Sequence, residues 1–232
     1  MTFFESDAKV QTVMKNQALV AKNLTIARGD TELCSQVSFT ISRGQVLHIQ
    51  GPNGIGKTTL MMMLAGLIPI SDLDQTSLMW GVHSPEDWSV LYVGHSLGLN
   101  SGLSIRENLR FVQGLNSDSD TNLDTALNAV GLSGYADITV AKLSSGQKRR
   151  VSLARLWLTE DPDRLWLLDE PFIALDAEMT ERLSERLVQQ TNVGGRVILT
   201  CHQPLSIYTE TLNLEHYALG KEEMGIERAS ES

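Results

Sequence analysis

This chain is poor in cysteine, has no long apolar run, and carries fewer basic than acidic side chains. Its two cysteines, Cys34 and Cys201, stand far apart among 232 residues without metal-ligand spacing. That excludes a disulfide scaffold and a thiolate metal centre, and both thiols are expected simply to pack in a reducing compartment. The apolar runs, such as Leu165 to Leu168, fall far short of the roughly 20 residues that cross a bilayer. The stretch ahead of Leu19 has no apolar core and no small-residue cleavage site, so it does not read as a secretion signal, and a cytoplasmic chain is expected. With 19 Lys and Arg against 28 Asp and Glu, the net charge is −9. Such a balance argues against general affinity for nucleic acid or anionic lipid, so any membrane attachment goes through a protein partner.

What is present reads as one α/β unit. Residues 1–17 form an N-terminal extension, with Met14 a candidate start because patterned sequence begins only near Ala18. Residues 221–232 are a short polar tail. Ala18 to Ile26 and Leu33 to Ile41 flank a turn at Gly29 and Asp30 and predict an antiparallel pair. Gln45 to Gln50 reads as a strand and Lys57 to Leu67 as a helix whose Met61, Met62 and Met63 fill a core. A strand follows at Ser89 to Val93, then a helix over Ile105 to Gln113, with Ser104 as N-cap and Glu107 completing a capping box. A polar surface loop, Asn116 to Asn122, leads to a helix over Leu123 to Val130. Helices over about 146–159 and Ala177 to Gln190 alternate with strands Leu165 to Leu168 and Arg196 to Thr200. This alternation predicts a parallel sheet covered on both faces.

Three strings carry the chemistry. Gly51-Pro52-Asn53-Gly54-Ile55-Gly56-Lys57-Thr58 matches the G-x-x-x-x-G-K-[ST] phosphate loop and is followed by Thr59. Its glycines let backbone amides approach phosphate oxygens, and the helix behind adds its positive end. Lys57 would neutralise the β and γ phosphates, and Thr58 would offer a hydroxyl to Mg²⁺. Leu165-Trp166-Leu167-Leu168 delivers Asp169 and Glu170 at a strand edge, Asp169 for Mg²⁺ and Glu170 to orient the attacking water. Leu143-Ser144-Ser145-Gly146-Gln147 opens a helix and is either a second anion site or a capped surface turn. Lys148, Arg149 and Arg150 after it read as a solvated or phosphate-steering face. His202, closing the last strand, is placed to sense the γ phosphate.

In that order and spacing, with Ala174-Leu175-Asp176, these strings resemble the ATP-binding-cassette ATPases from about Ala18 to Gly220. The resemblance implies a phosphate-loop fold with a mostly parallel sheet, a small antiparallel β layer and a helical subdomain over about 96–160. It implies two copies closing head to tail, so that Ser144, Ser145, Gly146 and Gln147 of one cap ATP held by the other, with Asp176 at the interface. His95 stands where most members carry glutamine, and its contact with Mg²⁺ is left open; Arg28-Gly29 stands where most place an aromatic. Ala154-Arg-Leu-Trp-Leu158, Leu168-Asp-Glu-Pro-Phe172 and Cys201-His-Gln-Pro-Leu205 are similar to the ATPase subunits of the cytochrome c maturation haem exporter. That implies a peripheral subunit on integral permeases at the cytoplasmic face of a bacterial inner membrane, acting indirectly on a haem chaperone and not on nucleic acid. An ATPase of a small lipid or antibiotic exporter, or a cassette protein acting as a nucleotide switch, stands as the alternative.

Overall fold

The computed structural model describes residues 18–70, 78–80, 89–113, 121–159 and 161–219. The N-terminal extension, the polar tail and most of the Asn116 to Asn122 loop lie outside them. In chain order the elements are β1 (Leu19–Arg28), β2 (Thr31–Ile41), β3 (Val46–Gln50), α1 (Lys57–Leu64), β4 (Leu78–Trp80), β5 (Val90–Val93), α2 (Ile105–Gln113), α3 (Thr121–Ala129), α4 (Ser145–Ala154), β6 (Leu165–Leu168), α5 (Ala177–Asn192), β7 (Arg196–Thr200) and β8 (Glu210–Asn213).

The strands form two sheets. In the five-stranded sheet, ordered β5-β6-β7-β3-β8, every pairing is parallel. In the other, β1 lies between β2 and β4, antiparallel to both, and the turn at Gly29 and Asp30 falls where the sequence places it. The short strands β4 and β8 are additions to the sequence reading.

Strands covered on both faces need apolar residues at every position, and the sheet sorts them by the period of two. Trp166 and Leu168 of β6, with Val197 and Leu199 of β7, join Leu109, Leu153 and Leu183 of the helices in one core. Leu165, Leu167 and Ile198 point the other way, onto Leu60 and Leu64 of α1 and Ile26 of β1. All four β6 side chains are completely buried, each worth about 1.5–3 kcal/mol of transfer free energy. Strand β6, second in the sheet, is therefore clamped from both faces, which fixes where its C-terminal carboxylates emerge.

Helix ends follow local chemistry. Before α2, Ser104 and Glu107 form the expected capping box, the Glu107 carboxylate accepting from the Ser104 amide and hydroxyl, both at 2.7 Å. These bonds hold the Glu107 carboxyl below its usual range. Helix α1 stops at Leu64, three residues earlier than the apolar pattern suggests. Gly66 takes the left-handed conformation (φ +69°), and the amides of Gly66 and Leu67 return to the carbonyls of Met63 and Met62. This is a glycine-terminated Schellman end.

Candidate active site

The glycine-rich loop joins β3 to α1, and its shape depends on what cannot be added to it. At Gly56 the backbone is left-handed (φ +112°), and a Cβ there would lie 2.8 Å from Ile26 Cγ2. Both facts demand glycine. From below, the buried Cys34 thiol reaches the Ile55 carbonyl at 3.3 Å, so this cysteine is packed against the loop, and burial pushes its pKa up. Lys57 Nζ donates to the carbonyls of Gly51 (2.7 Å) and Pro52 (3.1 Å), which holds the ammonium over the mouth of the loop.

Asp169 and Glu170 leave the end of β6. Parallel register sets Leu168 opposite Leu199, so Asp169 comes level with Thr200 at the end of β7. The buried Thr200 hydroxyl donates to Asp169 Oδ1 at 2.6 Å and accepts from the Glu170 amide at 2.8 Å. The other Asp169 oxygen, Oδ2, accepts from Thr58 Oγ1 at 2.7 Å. Thus the two groups assigned to a divalent cation already meet. Glu170 sits at φ +52°, a conformation that costs a non-glycine residue roughly 1–3 kcal/mol and is tolerated where the surroundings enforce it. Its Oε1 is buried without a hydrogen-bond partner, although His202 Nε2 lies 3.2 Å away, at ion-pair distance. A carboxylate oxygen held ready but unsatisfied suits an incoming water, which can donate to it.

In the sequence Thr200 reads only as the end of a strand, with nothing local to mark this role. Thr200→Val keeps the shape and removes the hydroxyl, stranding one Asp169 oxygen and the Glu170 amide. The expected cost is about 1–3 kcal/mol of stability, measurable as a lower denaturant midpoint. An unchanged midpoint would show the hydroxyl to be idle.

These groups share a cleft of about 630 Å³ whose walls include Lys57, Thr58, His95, Asp169, Glu170 and His202. Asn53, Gly54, Gly56 and Thr59 also line it. His95 is exposed on its wall, and Arg28, Leu33, Met62 and Ile68 line it too. Met61 and Met63 are core residues as expected, whereas Met62 faces this space, a placement the sequence reading did not make.

The residues Ser144, Gly146 and Gln147 gather elsewhere, in a second depression shared with Arg150 and Asp176. Ser144 caps α4: its hydroxyl accepts from the Gln147 amide (3.2 Å), while the Gln147 side chain accepts from the Ser144 amide (2.9 Å). Sequence left capped turn and anion site as alternatives. The capped turn is present, and Ser145 stays exposed at the first position of the helix. Asp176 caps α5 by accepting from the Met179 amide at 2.9 Å and pairs with Arg150. The Met179 amide, and then Arg150, hold its carboxyl below the usual range. Within one chain the two depressions have no lining residue in common.

Arg149 does not lie on a solvated or phosphate-steering face; it is buried. Its guanidinium donates to the main-chain carbonyls of Gly94 (3.0 Å), Asp169 (3.2 Å) and Glu170 (2.6 Å). Burial lowers its pKa, and the nearby Asp169 and Glu170 charges oppose that shift.

A glycine-rich loop with a lysine, sharing one cleft with two acidic side chains, is built for a nucleoside triphosphate, and the class is that of phosphate-loop ATPases. Residues 34–173 match the ABC transporter family model, and the chain belongs to that family. It is 45% identical over 193 residues to a cytochrome c biogenesis ATP-binding export protein, CcmA, of Tatumella citrea, covering 81% of this chain and 89% of that protein. The protein of the same name from Escherichia coli K12 is 43% identical over 196 residues, covering 82% and 91%. In fold the chain resembles a putative ABC transporter ATP-binding protein from Pyrococcus furiosus, with a TM-score of 0.75, 22% identity, and coverage of 88% of this chain and 100% of that one. An ATP-binding subunit of an ABC transporter aligns with a TM-score of 0.70 at 24% identity over 80% of each chain. ATPase subunits of this family work as dimers with membrane permease partners.

Proposed function

We propose that this chain is the ATP-hydrolysing subunit of a bacterial transporter for cytochrome c biogenesis, driving haem export or release of a haem-loaded chaperone. The observation that carries the reading is its 45% and 43% identity to CcmA proteins over about four fifths of its length and nearly all of theirs. No helix among the described residues is long and apolar enough to cross a membrane, which fits a peripheral subunit docked on permeases at the cytoplasmic face of the inner membrane.

In this reading backbone amides between Asn53 and Thr59 and the Lys57 ammonium bind the triphosphate of ATP, while Pro52, which lacks an N–H, shapes the loop. Thr58 and Asp169 would hold Mg²⁺, which supplies charge neutralisation at the phosphates when bound. Glu170 Oε1 accepts a hydrogen bond from the attacking water and draws off its proton, with His202 beside it. The separation of the two depressions supports a shared site, in which Ser145 and Gly146 reach the nucleotide of a second copy and Asp176 lies at the junction. Deleting the gene is expected to abolish holo-cytochromes of the c type, assayed by haem staining, while leaving other haem proteins intact. Normal holo-cytochrome levels would defeat the haem assignment.

A further inference from the structure

Arg149 belongs to α4, the helix whose first residues are Ser145 and Gly146, yet its side chain leaves that helix for the hydrolytic centre of its own chain. Its two terminal nitrogens hold three main-chain carbonyls: Gly94, next to His95, and Asp169 and Glu170 at the end of β6. Main-chain carbonyls, unlike side chains, report the path of the backbone. The path at Glu170 needs holding, because a non-glycine residue at φ +52° is there against its own preference. At Gly94 a side chain would not fit without displacing a neighbour, since a Cβ would fall 2.3 Å from the Tyr92 hydroxyl oxygen. Arg149 as a whole is 8% exposed, so water competes little for these bonds. A planar fork with fixed donor directions can serve several carbonyls at once, which the single ammonium of lysine does less well.

We infer that Arg149 is the positioning residue that holds Glu170 in its hydrolytic conformation and ties it to the nucleotide-capping helix. This rests on the proposed role of Glu170. Arg149 touches no reacting atom. It fixes the direction in which the Glu170 carboxylate leaves the backbone, and any movement of α4 on meeting a second copy reaches Glu170 and the His95 loop through it. The lysine and phosphate-loop contacts that bind ATP do not involve it, so affinity and turnover separate.

The test compares Arg149→Gln and Arg149→Lys with the unaltered chain, each assembled with its membrane subunits in proteoliposomes, with ATP affinity measured on the full-length chain. Expected is a fall in kcat of about 100-fold for Arg149→Gln, and a smaller fall, about 10-fold, for Arg149→Lys. ATP affinity should stay within about twofold in both. If Arg149→Gln does not fold, Arg149→Lys alone carries the comparison. A folded variant with kcat within twofold of the parent overturns the inference, as does equal loss of affinity and kcat in Arg149→Lys, which marks a merely structural role. Glu170→Gln is measured in parallel. Normal turnover there removes the role of Glu170 and this inference with it, whereas an inactive Glu170→Gln beside a normal Arg149→Gln removes this inference alone.

Discussion

Glu170→Gln is expected to lower steady-state ATP hydrolysis by about 10²- to 10⁴-fold, the range for losing a positioned general base, while ATP still binds. The substitution exchanges one carboxylate oxygen for an amide nitrogen and leaves the volume unchanged. What secures the residue acts on its main chain: the Thr200 hydroxyl accepts a hydrogen bond from its amide, and Arg149 donates to its carbonyl. Those bonds survive, so the strained backbone at φ +52° stays where it is. What disappears is the anionic oxygen 3.2 Å from His202 Nε2, the buried one that lacks a hydrogen-bond partner. An amide cannot accept a proton from water at neutral pH. Phosphate release under saturating ATP, beside equilibrium ATP binding, separates the two functions. Normal phosphate release would take the catalytic role away from Glu170.

The elements that carry these groups were largely legible because their chemistry is local. A strand apolar at every position followed by two carboxylates is legible as β6, and the Ser104 and Glu107 pairing marks the start of α2 without reference to anything distant. Strand β8 has no such signal. Glu210 and Asn213 do not favour a strand by themselves; they are in one because β8 pairs with β3 at the sheet edge, Leu47 opposite Glu210. Thr200 gained its role only when parallel register set it beside Asp169, a pairing between segments about thirty residues apart that no single window of sequence contains. Arg149 was misread for a different reason. Between Lys148 and Arg150 it looks like part of a charge run, yet it lies three and four residues before Ser152 and Leu153, both buried. Those three positions share one helix face, so helical period marks Arg149 as inward-facing where charge alone does not.

Lys57→Ala is expected to weaken ATP binding by roughly 10- to 100-fold, corresponding to about 1.5–3 kcal/mol for hydrogen bonds to a charged group, and to reduce hydrolysis at subsaturating ATP at least as much. The size of the loss reflects an exchange. In the structure Nζ is already engaged by the Gly51 and Pro52 carbonyls at 2.7 and 3.1 Å. To reach the β and γ phosphates it must loosen those neutral acceptors in favour of anionic ones, so the net gain is less than the gross attraction. Removing the side chain also leaves the two carbonyls to water, but Pro52 is exposed and Gly51 half-buried, so stability should change little. Gly56 still forces the turn, and Cys34 still supports Ile55 from beneath. The loop therefore keeps its shape and its amides while losing one positive charge. Titration with ATP by calorimetry, alongside thermal melting without nucleotide, checks both halves. Undiminished affinity would mean that the amides alone carry the triphosphate, and a large drop in melting temperature would mean that Lys57 holds the loop together instead of the ligand.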